Sequence, residues 1–359
     1  MTELATTLLQ EANEDAALEQ LHRAGCTDGL PVVIPTPERV ERMILFAAGL
    51  DPDVIIGNVG PQEGEATVEK IAVNAVMAGC LPEHFPVVIA AVEAVTDPIF
   101  DLGTIQATTH NLAPMVIVNG PIRHWASIAS GTGALGPGFR ANAAIGRALR
   151  LVLLNIGGGR PEVGDMALLG HGGKFTYCLA EAEEESPFEP LHVARGFDPQ
   201  DSTVTVVPLE APHSVVSVVD ADQPDHTADR MLAVLAGALA NVGSNNIYNG
   251  KGTVAVVLNP DHARALATVG LDRPSIQREL YDRAVDTRQR LRSLNPALVA
   301  DGPPGDLLHI TTGPETILVM VGGGDGTYSV VMPTWSAGDG CVAVTRPVRF
   351  DKECEIPLR

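Results

Sequence analysis

The chain lacks a run of lysines or arginines, a closely paired cysteine motif and an apolar stretch long enough to cross a bilayer, and each absence removes a class of protein. With 24 Lys and Arg against 44 Asp and Glu, the formal charge is −20, a field that repels phosphate backbones and anionic lipid surfaces. Nucleic acid and membranes are therefore not expected partners. The longest apolar stretches, such as residues 85–95 with Glu93 inside, fall short of the roughly twenty residues a span needs. The opening MTELATTLLQEANEDAALEQLHRAG has acids at helical spacing and no basic start or continuous apolar core, unlike a signal peptide. The expected location is the cytoplasm. Five cysteines, Cys26, Cys80, Cys178, Cys341 and Cys354, show no CxxC or other metal-ligand spacing. Reduced thiols are expected, and no motif calls for a cofactor.

What remains is an ordinary globular composition, 45% hydrophobic and 19% charged over 359 residues, which is enough chain for a large core. Residues 2–24 read as an amphipathic helix, Thr36-Pro37 starts a second that stops near Gly49, and 68–79 and 86–95 read as two more. Residues 1–105 are thus expected to be a mainly helical region, and 106–359 an α/β region, with one continuous domain left open. Three segments, PMVIVNGP at 114, TVAVVLNPDH at 253 and TILVMVGGGDG at 316, share an apolar run ending in Asn or Gly and read as buried parallel strands. The fold class expected is α/β, with mainly parallel buried strands and flanking helices. The shared pattern is too short to establish a repeat. KFTYCLA reads as a further strand, SIQRELYDRAVDTRQRLRSL as one basic helix, residues 181–189 as an acidic loop, and Pro303-Pro304-Gly305 as a linker.

Chemistry is densest in HGGKFTYCLAEAEEESPFEPLH. Strand alternation puts Lys174, Thr176 and Cys178 on one face, and an adjacent ammonium or imidazolium favours a thiolate. Cys178 is therefore the expected nucleophile and the expected reactive thiol, tuned by Lys174 and His171, with Glu181 or Glu183 as base; a packed core cysteine beside a solvated loop is the alternative. In QATTHNLAP, His110 suits proton transfer near neutral pH and Asn111 can hold a carbonyl or carboxylate, unless the segment is only a turn. The loop GTGALGPG runs into a helix bearing Arg140, Asn142 and Arg147, an arrangement suited to a small anion. It has neither the GKS/GKT of a P-loop nor a GxGxxG after a first strand, which argues against a nucleotide. Asn245, Asn246 and Lys251 before the second strand, and Asp325 after the third, lie in loops where α/β proteins hold ligands.

The runs TDGLPVVIPTPERVERM, NAVMAGCLPEHFPVVIAAVEA, APMVIVNGP, GPGFRANAAIGRALRLVLLNIGG and GKFTYCLAEAEEESPFEPLH cover most of the chain between them. Together they resemble an uncharacterised bacterial protein family associated with UGSC-type thiol or selenol redox proteins. The resemblance implies a thiol-linked reaction with a redox partner, and makes Cys80 and Cys178 the residues to test. The chain has no UGSC or CxxC element, so a partner would have to supply one.

From the residues, the leading expectation is a cofactor-independent hydrolase or lyase for a small polar, anionic substrate, in a chain that forms a homo-oligomer. Cys178, Lys174, His110, Glu183 and His171 would be catalytic, and Arg140, Arg147, Asn111, Asn142, Asn246 and Lys251 would bind substrate. The rivals are a metal-dependent enzyme with His110, His171 and carboxylates as ligands, and a small-molecule binding subunit.

Overall fold

The computed structural model describes residues 5, 6 and 10–350. The first half contains α1 (Glu14–Arg23), α2 (Pro37–Ile44), a hairpin of β1 (Ile55–Val59) and β2 (Gly64–Thr67), α3 (Val68–Ala78), α4 (Phe85–Val95) and α5 (Leu102–Ala107). It continues with β3 (Ala113–Asn119), α6 (Ile122–Trp125), α7 (Arg140–Asn155), β4 (Cys178–Ala180), α8 (Leu191–Ala194), β5 (Thr203–Leu209) and β6 (His213–Val216). The second half contains α9 (Pro224–Leu239), α10 (Asn246–Asn249), β7 (Val254–Leu258), α11 (Pro260–Thr268), α12 (Arg273–Arg283), β8 (Val285–Thr287) and α13 (Arg288–Leu294). It ends with β9 (Leu307–His309), β10 (Ile317–Val321), β11 (Tyr328–Met332) and β12 (Val344–Pro347).

Two four-stranded sheets, in the orders β12-β5-β3-β4 and β10-β7-β11-β6, form the centre. Their strands alternate faces with period two. Met115, Ile117, Leu179 and Val207 of the first sheet meet Ala255, Val257, Leu318 and Met320 of the second between the sheets. The intervening residues point outward: Val116, Val118 and Val206 pack under α3, α4 and α7, and Val254, Val256 and Val319 under α9, α11 and α12. The result is four layers, helix, sheet, sheet, helix. Both faces of each central strand are buried, which is why those strands read as unbroken apolar runs.

The two halves repeat one plan. Each has a central strand (β3, β7), a parallel neighbour reached through helices (β4, β10), and an antiparallel neighbour on the other side (β5, β11). The fourth strand of each half then crosses over, β6 pairing antiparallel with β11 and β12 with β5. The strand pattern shared by residues 114 and 253 marks the two central strands.

Three expectations change. Only the β3/β4 and β7/β10 pairs are parallel, so mainly parallel strands give way to a mixed arrangement; the turn at residues 322–327 reverses the chain after β10, and so short a link cannot return a strand to parallel. Residues 14–107 hold a β-hairpin as well as helices, and of the helix expected at 2–24 only Glu14–Arg23 is helical, capped by the Asn13 side chain on the Ala16 amide; residues 1–4 and 7–9 lie outside the described residues. The basic helix at 275–294 breaks at Ala284, where residues 285–287 pair with β9 instead.

Candidate functional site

The register of the sheets brings the site together. Ala113 opens β3 opposite Leu209 at the end of β5, and Ala255 in β7 lies opposite Met332 at the end of β11. The residues just before the central strands (His110, Asn245) and just after their antiparallel neighbours (Glu210, Trp335) therefore gather at one end of the sandwich. The Glu210 amide donates to the Pro333 carbonyl, and the Thr334 hydroxyl to the Pro208 carbonyl, tying the two sheets together there.

His110 stands between two partners. Its Nε2 is 2.9 Å from Glu210 Oε1, and its Nδ1 is 2.9 Å from Asn245 Nδ2. With the amide in this orientation Nδ1 accepts from Asn245, so Nε2 carries the hydrogen and donates to the carboxylate. The Trp335 ring lies 6.3 Å away, centre to centre. The side chains of His110 and Glu210 keep 19% and 25% of their exposure, so both are partly open to solvent. The Tyr177 hydroxyl donates to the Glu210 carbonyl, fixing the backbone that carries the carboxylate.

His171 packs edge-on against Tyr177, with ring centres 6.0 Å apart. Its Nδ1 accepts from the Gly173 amide. Burial first, and then the Lys174 ammonium, lower its pKa, so the ring is neutral near pH 7, with Glu210 acting in the opposite sense. Behind it Asp165 accepts from Lys174 Nζ at 2.7 and 2.8 Å and from Arg150 at 3.3 Å. Burial, followed by the neighbouring Arg150 guanidinium, lowers the Lys174 pKa. Asn111 holds this loop by accepting from the Gly170 amide.

The other candidates lie elsewhere. Regular strand begins only at Cys178, so the alternation expected to set Lys174 beside the thiol does not arise: residues 172–174 form a 3-10 turn, and Lys174 is spent on Asp165. Cys178 is 3% exposed, and burial pushes its thiol pKa up, with the Cys80 sulfur adding to the effect. Glu183 accepts from Asn119 and the Gly120 amide and pairs with Arg123, and Glu181 is fully buried. Asn142 pins the Gly-rich loop through the Ala129 and Ala134 carbonyls. Gly146 of the same helix lies so close to the Thr176 and Tyr177 backbone that a methyl there would collide. Asn246 fixes Thr334, Lys251 pairs with Asp339, and Asp325 pairs with Arg264. Arg147 is neutralised by Asp28 through two hydrogen bonds, of 2.7 and 2.8 Å. Arg140 instead donates to the Gly79 carbonyl.

Among the described residues no group of three or more His, Cys, Asp and Glu is arranged to hold a metal ion, and no helix is long and apolar enough to cross a membrane. No family model matches the chain, nor does any curated protein or solved structure.

The thiols give a direct check. Cys80 is 8% exposed and its pKa is raised by burial, Cys341 is pushed up to about 11, and Cys26 is half-buried. Among these, Cys26 should take up iodoacetamide at pH 7 more than tenfold faster than Cys178, because Cys26 is more accessible and burial suppresses the Cys178 thiolate. Peptide mass mapping over time measures this, with Cys354 outside the described residues. Cys178 labelling as fast as Cys26 in folded protein would restore it as a reactive group.

Proposed function

We propose that the chain is a cofactor-independent enzyme for a small polar molecule, a hydrolase or lyase, in which His110 moves the proton and Glu210 orients and charges it. The observation that carries this reading is the His110–Glu210 pair, 2.9 Å apart and partly open to solvent at the junction of the two sheets. A carboxylate on one ring nitrogen fixes the tautomer and stabilises the imidazolium formed when the other nitrogen takes a proton. A substrate hydroxyl, amide or bound water that displaces the Asn245 amide from Nδ1 meets that nitrogen as a base. Trp335 offers an apolar wall for the substrate's body. Neutral His171 and the Lys174–Asp165–Arg150 group stand behind, holding the loop and its charge in place.

In this reading Cys178 is a packing residue, because a buried thiol with a raised pKa supplies little thiolate. The test is a panel of small hydroxy acids, keto acids, esters and amides incubated with the protein in D2O and followed by NMR. Turnover, or exchange of a carbon-bound hydrogen, is expected with wild type and absent with His110→Ala. Equal rates for the two proteins would remove His110 from the chemistry.

A further inference from the structure

A second feature stands apart from the His110 site and shares no residue with it. Arg39, Arg42 and Arg140 line one small cleft of about 100 Å³, closed by Val33, Met43, Val76, Gly79, Cys80 and Pro82. Two of the arginines come from α2, three residues apart and hence on one helix face. The third comes from the start of α7, a sixteen-residue helix whose first amides no side chain caps. Of the three only Arg39 forms an ion pair, with Glu14 at 3.2 Å; it also donates to the Ile34 carbonyl at 2.7 Å, and its charge is felt by Glu38. Arg140 spends its donors on one backbone carbonyl, that of Gly79. Arg42 has no ion pair or hydrogen bond among the described residues. Glu38, Glu41 and Glu83, the acids nearest in sequence, do not line the cleft.

Three arginines lining one cleft, two of them without an ion pair, are unusual in a chain of net charge −20, where most other arginines are paired. Like charges that outnumber their counter-charges repel one another, and a bound anion relieves that repulsion. The guanidinium fork matches two oxygens of a tetrahedral or planar oxoanion. The cleft of about 100 Å³ has room for one such group.

We infer that the Arg39–Arg42–Arg140 cleft is a binding site for a single small oxoanion, a phosphate-type or carboxylate group, separate from the His110 centre. Arg42 is the diagnostic residue because it supports nothing else in the fold, whereas Arg140 also caps the end of α3. Calorimetric titration of the full chain at low ionic strength with inorganic phosphate, and in parallel with malonate, should show one saturable site; the tighter of the two identifies the class. Arg42→Gln should weaken that binding at least tenfold with an unchanged melting temperature, and Arg39→Gln should weaken it too. Arg278→Gln, which alters an exposed arginine elsewhere, should leave it as in wild type. Loss of affinity at higher salt should parallel the loss of charge. Absence of saturable binding of either probe to wild type would overturn the assignment. So would an Arg42→Gln protein that binds as wild type does, or an Arg278→Gln protein weakened as much as Arg42→Gln.

Discussion

Replacing Glu181 by Gln is expected to lower the unfolding free energy by about 3–5 kcal/mol, the usual cost of leaving one partner of a buried ion pair uncompensated. Glu181 is fully buried, and its carboxylate accepts from Asn119 Nδ2 and the Leu191 amide, each at 2.6 Å, and from Arg273 Nη2 at 3.1 Å. Arg273 also donates to the Val319 carbonyl of β10 and to the Glu189 carbonyl. The carboxylate therefore links the segment after β4 to α12 and the second sheet. Glutamine keeps the shape but leaves the Arg273 charge without its counter-ion. The double variant Glu181→Gln, Arg273→Met should cost less than the two single changes added together, because the second change removes the orphaned charge. Urea unfolding of the four proteins measures both quantities. A loss below about 1 kcal/mol for Glu181→Gln would mean that water or another group takes over its role.

Glu210→Gln is expected to slow turnover by about 100- to 10,000-fold, the range general acid–base catalysis supplies, while leaving the fold intact. The Glu210 backbone, not its side chain, bonds Pro333 and Tyr177, so the structural links survive the change. What is lost is the negative charge facing His110 Nε2. With its substrate panel and NMR readout unchanged, the assay should show the drop chiefly in the rate at saturating substrate, since the amide still occupies the space. A variant that loses only affinity would instead make Glu210 a substrate-binding group.

The parts of this fold that could be read in the sequence are those set by local pattern. Residues 115–118 and 254–258 are strands because both of their faces are covered, and α11 starts where Asn259 and Pro260 put a cap and a first-turn proline. Pairing direction was hidden, because an apolar run buried on two faces looks the same in a parallel and an antiparallel neighbour. Residues 174–177 mimic a strand by composition, but two glycines before them and the close packing of Gly146 on Thr176 and Tyr177 hold a turn. In the site, His110 was legible by residue type and by its place before a strand. Glu210 was not: it is a single acid after an apolar strand, 100 residues from His110, and only the β3/β5 register brings the two together. Asn245 stood out as a polar loop residue, yet nothing local indicated the ring it faces. The acids that did stand out, Glu181 and Glu183, are drawn inward by Arg273 and Arg123, whose long range in sequence left no local trace.

The account rests on an imidazole rather than a thiol as the reacting group, and one comparison decides between them. His110→Ala and Cys178→Ala are assayed side by side with wild type on whichever panel compound the wild-type protein turns over. The account predicts that Cys178→Ala keeps the wild-type rate within about threefold and that His110→Ala loses at least about a hundredfold, in line with the worth of a general base. An inactive Cys178→Ala protein with a wild-type melting temperature, beside an active His110→Ala protein, would contradict it.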